Sequence, residues 1–281
     1  MTHSVTTLPE ELEELEPEGL GASIAHWLRR YFPSILVFIL VTAFWEGVVR
    51  LFNINVFLLP APHAIFQEFA SNYATLLEYG MNTFREALGG FAVGCSLGVL
   101  VAVIAIRWHM LADLLLPVAV ASNSIPIIAF APLAIVWFGI DAGSKIAIVA
   151  LMCFFPTMIS TFRGLTSLPP GALDLMRSYA APEKDIFLKL RAPAALPYVF
   201  NALKLSSTLS MIGAIVAEFF GGSVKLLGVY IKTEASILHT TQAWAAIIVA
   251  CLLGILFYLA ISFVERLVMP WHVSFREVGH E

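Results

Sequence analysis

An all-α, polytopic membrane fold is what this sequence predicts, and three observations predict it. Of the 281 residues, 59% are hydrophobic and 13% charged, with mean hydropathy +0.85; a soluble domain carries about a quarter charged residues. Several apolar runs exceed the roughly 18–20 residues needed to cross a hydrocarbon core about 30 Å thick. These runs are continuous, whereas a transmembrane β-barrel needs segments of about ten residues that alternate in character.

The elements follow in order. Residues 1–30 carry an acidic run at 10–18 and read as a solvated tail preceding a membrane domain, 31–281. The tail lacks the basic start of a signal peptide. Six spans are expected, at about 34–52, 84–106, 111–138, 145–162, 199–220 and 244–269. The third holds Pro117, Pro126 and Pro132 and is too long to be one straight helix; broken helices at membrane depth need protein or a cavity around them. Between the first two spans, Ile65, Phe66, Phe69, Tyr73, Leu76 and Leu77 recur at helical spacing after Pro62. They predict an amphipathic helix lying on the outer face. Gly90, Gly94 and Gly98 form a flat stripe that lets another helix approach closely. Packing within the subunit and a seam between two copies both fit it.

Placing both termini in the cytoplasm puts eleven Lys and Arg on the inner side and five on the outer, the bias that sets membrane orientation. Cys95, Cys153 and Cys251 lie far apart inside apolar runs and read as small hydrophobes. The Glu46/Arg50 pair has the spacing to neutralise itself on one helix face.

Several chemistries are missing from the sequence. It has no GxxxxGK[ST] phosphate loop, no HExxH and no paired-cysteine spacing. No metal site is expected. No basic patch interleaved with aromatics points to nucleic acid. Glu46, Glu86, Asp113, Glu218 and Glu265 sit near the predicted span ends, whereas gradient-driven carriers keep acids at mid-membrane. Energy for uphill transport would have to come from a partner, and an enzyme is not expected.

The stretch "DLMRSYAAPEKDIFLKLRAPAALP", residues 174–197, is the main charged interruption, with seven charged residues between Asp174 and Arg191. Leu173, Met176 and Ala180 follow helical spacing, and Pro182 suits the start of a second helix. Glu183 and Asp185 fall near that helix's positive end, Lys189 and Arg191 near its negative end. Pro193 and Pro197 are expected to limit it. Two short helices with a bend at 180–182 result. An interfacial linker and a docking element for a cytoplasmic partner both fit.

The segment resembles the cytoplasmic loop of permease subunits in binding-protein-dependent ABC importers. Their pattern is Glu-Ala-Ala, three residues, Gly, nine residues, Ile, one residue, Leu-Pro. Here it falls on Asp174-Leu175-Met176, Ala180, Leu190 and Ala192-Pro193. The spacing fits, but only the proline is identical, and Ala replaces the hinge Gly. Further pieces resemble the nitrate/sulfonate/taurine branch, which includes riboflavin and thiamin-precursor permeases: "FLLPAPHAIFQEF", "NTFREALGGFAVGCSLGVLVAV", "IPIIAFAPLAIVWFGI", "FFPTMISTFRGL", "RAPAALPYVFNALKLS", "IVAEFFGG" and "ERLVMPW".

The resemblance implies a type I importer permease bundle in the inner membrane, with no catalytic residues in this chain. It implies ABC ATPase subunits carrying ATP and Mg beneath, an extracytoplasmic substrate-binding protein, and a second copy of the chain in the bilayer. The loop 163–197 would be the coupling loop. Its expected ATPase-docking residues are Asp174, Arg177, Ser178, Tyr179, Ala180, Ala181 and Glu183. A substrate path is expected along Ser122, Asn123 and Ser124 and along Ser206, Ser207, Thr208, Ser210 and Met211. Glu218 is expected at an outer gate or a binding-protein contact, with a structural ion pair as the alternative. The expected cargo is riboflavin or a pyrimidine thiamin precursor, because no fixed cation is placed in the central parts of the spans. Sulfonate, taurine or nitrate is the alternative cargo, and a gradient-driven secondary transporter the alternative class.

Overall fold

Proline and glycine positions set many of the helix ends in the computed structural model, which describes residues 20–108, 114, 117–119, 121–122 and 126–270. Helix α1, Leu20–Leu51, belongs to a compact unit that ends at Ile54. Within it Arg50 Nε meets Glu46 Oε1 at 2.5 Å, the pairing its i,i+4 spacing predicts. The second unit begins at Asn55 and is wholly helical in its regular structure among the described residues.

Helix α2, Pro62–Arg107, is two helical arms joined across a kink at Asn72 (φ −117°, ψ 18°). The arm before the kink holds the first part of the amphipathic stretch the sequence predicts, and the longer arm runs on into the second span. At about 1.5 Å per residue the 46 residues make roughly 70 Å of helix, about twice the hydrocarbon thickness, so part of it stands outside the membrane. Past the kink nothing stops the second arm. Gly80 is the one weak position between 73 and 88, and a glycine costs only about 1 kcal/mol. Here it packs tightly on Leu227, Val249 and Leu253.

The predicted third span falls partly outside the described residues. Its described end is α3, Ile127–Phe138, preceded by Pro126 in an extended conformation (φ −66°, ψ 111°). The proline break is where the sequence places it. Helix α4, Ala142–Thr166, follows at once. Next come α5, Ala172–Ser178, and α6, Glu183–Ile186; a π-helical turn, Phe187–Arg191, leads into α7, Ala192–Glu218. Helix α8, Leu227–Ser236, occupies the second outer loop, and α9, Thr240–Val268, closes the bundle. Among the described residues, five helices are long and apolar enough to span a membrane, and α3 contributes a shorter apolar segment.

Pro193 and Pro197 do not limit the helix after the bend; α6, the π turn and α7 form one helical run of 36 residues, Glu183–Glu218. The π turn supplies the reason. A helical proline lacks an N–H and crowds the carbonyl four residues back. The wider turn at Phe187–Arg191 brackets Lys189, the residue whose carbonyl Pro193 would crowd. Such single-turn insertions are the usual form of π-helix.

Helices α2, α4, α7 and α9 pack around Ala87, Phe91, Cys95, Val149, Cys153, Met211, Ala214 and Phe257. The Phe91 and Phe257 rings meet edge to face with centroids 4.9 Å apart, a favoured geometry. The glycine stripe proves to be packing within the subunit. A Cβ on Gly98 would lie 2.8 Å from the Phe154 carbonyl and 3.1 Å from Thr157 Cβ, and Gly90 and Gly94 press likewise on Val149 and the Ala150 backbone. Cys95 and Cys153 are buried, but Cys251 is exposed on α9, and all three are free thiols.

Candidate functional site

Two regions gather polar chemistry: the loop between α4 and α7, and the end of the bundle under α8. The loop starts at Gly171, whose φ of +75° turns the chain into α5. Asp174 stands in the first turn of α5 and Arg177 in the last, both favoured by the helix dipole. The end of α5 is closed by two backbone bonds, Ala181 N–H to Met176 O (3.0 Å) and Ala180 N–H to Arg177 O (2.9 Å). This pair is the Schellman cap, which needs a left-handed residue at its penultimate position, usually Gly. Ala180 takes that role with φ +49°.

The two limbs of the loop differ in burial. No residue of α5 is buried, and Tyr179 is 79% exposed. Asp174, Arg177, Ser178, Ala180 and Glu183 are exposed as well, while Ala181 is half-buried. Leu175, absent from the sequence-derived set, is exposed beside them. The second limb is tied to the bundle. Ile186 is fully buried and Arg191 Nη1 donates to the Leu165 carbonyl at 3.0 Å, while Lys189 pairs with Asp185 within the limb at 2.8 Å. Tyr198 adds bonds between its hydroxyl and Ser167 Oγ (2.9 Å) and from Ser160 Oγ to its carbonyl (2.9 Å). A fixed arm thus presents a bare helix across a capped bend.

Most of the residues expected along a path on α7 face inward. Ser206, Ser207 and Ser210 are fully buried, and Met211 sits in the core cluster. Ser206 Oγ shares a hydrogen bond with Thr157 Oγ1 on α4 (3.1 Å), while Ser207 Oγ and Ser210 Oγ donate to the carbonyls of Lys204 and Ser207. Thr208 is half-buried and donates to the Leu205 carbonyl (2.7 Å). Its helical neighbours Leu205 and Ile212 are both exposed. Ser122 is half-buried and donates to the Val118 carbonyl (2.8 Å). Asn123 and Ser124 lie outside the described residues.

At the other end, Glu218 closes α7 and is 1% exposed. Its Oε2 accepts the Gly228 N–H at 2.6 Å, and the next-door Leu227 N–H goes to Thr83 Oγ1 on α2 at 3.0 Å. The first turn of α8 is therefore held by side chains from two spans, as free helix N–H groups require. Gly228 is needed there: a Cβ would come within 2.7 Å of Glu218 Oε2 and of the Ile215 carbonyl. Lys145 is also 1% exposed, and donates to the carbonyls of Ile140 and Asp141. Its charge acts on Glu86 and Glu218 together. Glu86 Oε2 and Glu218 Oε1 are buried without hydrogen-bond partners. Outside this knot, Lys225 pairs with Glu78 at 2.9 Å, which holds the lysine's pKa above its ordinary value.

Lys145 is thus buried at the start of α4, and Lys204 on α7 pairs with Glu265 on α9 at 2.9 Å. A sequence signal existed for Lys145. A lysine in the first turn of a helix opposes the dipole, so it needs carbonyl or carboxylate company.

Comparison with known proteins matches residues 94–271 to the family described as binding-protein-dependent transport system inner membrane component. The chain belongs to this family. It is 31% identical over 270 residues to the riboflavin transport system permease protein RibX of Chloroflexus aurantiacus, covering 95% of this chain and 99% of that protein. The formylaminopyrimidine transport permease protein ThiX of Halalkalibacterium halodurans is 29% identical over 237 residues, 84% of this chain and 94% of that one. A solved structure of an amino acid ABC transporter shares the fold, with TM-score 0.57 and 14% identity over 72% of this chain and 96% of that chain. The chain is thus an ABC importer permease, and its family is one of transport rather than catalysis.

Proposed function

We propose that this permease is driven by separate ATPase subunits that dock on α5, and that it carries riboflavin or a pyrimidine thiamin precursor delivered by a binding protein. The observation that carries the docking reading is the contrast within the loop: no residue of α5 is fully buried, and Asp174, Leu175, Arg177 and Ser178 are exposed, while the arm behind it is anchored through Ile186 and Arg191. A partner that moves α5 then moves the root of α7 through the π turn. ATP shifts the resting equilibrium only as far as it favours one conformation over the other. Both termini are proposed to be cytoplasmic. A second copy of the chain is the proposed neighbour of the α7 face with Leu205 and Ile212, where Thr208 is the polar residue placed to line a path.

The cargo reading rests on relatives named for flavin and pyrimidine transport. Relatives named for sulfonate, nitrate and taurine transport also match, so the binding protein decides it. Titrating that protein with riboflavin, a formylaminopyrimidine and taurine is expected to show tight binding of the first or second. Tight taurine binding alone would overturn the cargo.

Docking is tested in proteoliposomes holding the permease with its ATPase. Tyr179→Ala removes an aromatic anchor worth about 2 kcal/mol at interface hot spots, or roughly 30-fold in ATPase affinity. Arg177→Glu reverses the charge beside it. Both variants are expected to insert normally and lose transport per ATP. Full transport in both would end the docking assignment, and transport without any ATPase would favour a gradient-driven carrier.

A further inference from the structure

A cavity of ≈ 340 Å³ lies between the last turns of α2 and the start of the α6–α7 run. It is separate from the exposed face of α5 and from the charge cluster under α8. We propose that it binds the phosphodiester headgroup of an anionic phospholipid, whose chains continue along the membrane-facing side of α2.

The lining has two chemistries. Arg107, Lys184 and Arg191 supply three cations against the single carboxylate of Glu183. Val103, Ile106 and Phe187 supply an apolar wall. Arg107 and Lys184 are exposed, and Arg191 is half-buried. Arg191 spends one N–H on the Leu165 carbonyl; a guanidinium has five, so it retains donors for a ligand. Two phosphate oxygens suit the planar fork of an arginine.

Position argues for a lipid over a soluble anion. Val103, Ile106 and Arg107 lie three and four residues apart, on one face of the last turns of α2. The opposite wall, Phe187 and Arg191, belongs to the π turn at the root of α7. The cavity therefore sits between the ends of two spans, where hydrocarbon gives way to headgroups. Basic pockets between spanning helices at this depth suit anionic headgroups. The volume is at the lower end of small-ligand clefts. It holds a phosphoglycerol head while leaving the acyl chains outside. A choline head would add a positive charge among three others, so zwitterionic lipid is disfavoured.

Native mass spectrometry of the purified full chain tests this, with phosphatidylglycerol and phosphatidylcholine of matched chains as probes. One phosphatidylglycerol is expected to bind per chain more tightly than phosphatidylcholine. Lys184→Gln is expected to weaken phosphatidylglycerol about fivefold, and adding Arg107→Gln about fivefold again, each charge counting for about that much near a membrane surface. The Arg107→Lys/Lys184→Arg pair keeps the charge and is expected to retain binding, which separates charge from fold. Equal phosphatidylglycerol affinity in the wild type and the Gln variants overturns the proposal, as does equal binding of the two lipids. Displacement of the bound lipid by millimolar inorganic phosphate would reassign the cavity to a free anion. Loss of ATPase co-purification with lipid binding unchanged would assign the face to a protein partner.

Discussion

Ala180→Gly is expected to stabilise the bend between α5 and α6. Ala180 has φ +49° and completes the cap on α5 through the bonds Ala180 N–H to Arg177 O and Ala181 N–H to Met176 O. A left-handed residue with a Cβ is disfavoured by about 1–2 kcal/mol. Glycine removes that term, but adds freedom to the opened loop worth about 0.4–1 kcal/mol. The net gain is about 0.5–1 kcal/mol, which makes opening roughly two- to fivefold rarer. No packing change complicates the comparison, because Ala180 is exposed. Hydrogen exchange followed by mass spectrometry on the peptide spanning residues 172–186 reads the opening directly. Slower exchange by that factor is expected at the amides of 180 and 181. Ala181→Gly is the control: its φ is not positive, so glycine there gives only added freedom and faster exchange. If Ala180→Gly speeds exchange, or the two variants behave alike, the left-handed cap is not what holds the bend.

The remaining predictions concern the knot under α8. Gly228→Ala places a methyl within 2.7 Å of Glu218 Oε2 and of the Ile215 carbonyl, an overpacking that costs about 1–3 kcal/mol; thermal unfolding of the detergent-solubilised chain should start several degrees lower. Lys145→Met removes the cation that acts on Glu86 and Glu218 and the donor to the Ile140 and Asp141 carbonyls, and losing a charged hydrogen-bond donor in this way costs about 1–3 kcal/mol. Adding Glu218→Gln to Lys145→Met should recover part of the loss in the same melting assay, because one uncompensated charge is removed while an oxygen remains for the Gly228 N–H. A purely additive double variant would mean the two side chains act independently.

Much of this fold was legible because membrane spans are written in runs. Continuous apolar segments placed α1, α4, α7 and α9 close to where they form, and the helix-dipole order of charges after Pro182 placed the bend. What escaped was where the helices bend. The outer amphipathic stretch kinks at Asn72, and its second half runs into the second span past Gly80, which side chains of α8 and α9 fill, contacts that no local pattern records. Pro193 and Pro197 read as stops, but a π turn just upstream brackets the carbonyl that Pro193 would crowd, and α7 carries Pro197 inside it. The glycine stripe named a close approach without naming its partner, and only the fold brings Gly98 against the Phe154 carbonyl.

Lys145 shows the same limit for chemistry, and alters one argument about cargo. The spans looked free of fixed cations, which favoured a neutral cargo over an anion. A buried lysine does stand at the start of α4, 1% exposed. It still does not supply an anion site. Its ammonium is engaged by the carbonyls of Ile140 and Asp141. A cation so buried and so engaged is not presented to a passing nitrate or sulfonate. The cluster instead fixes where α8 meets the bundle, through the bond from the Gly228 N–H to Glu218. The buried lysine therefore adds nothing to the case for an anionic cargo, because its ammonium is held by carbonyls within the subunit.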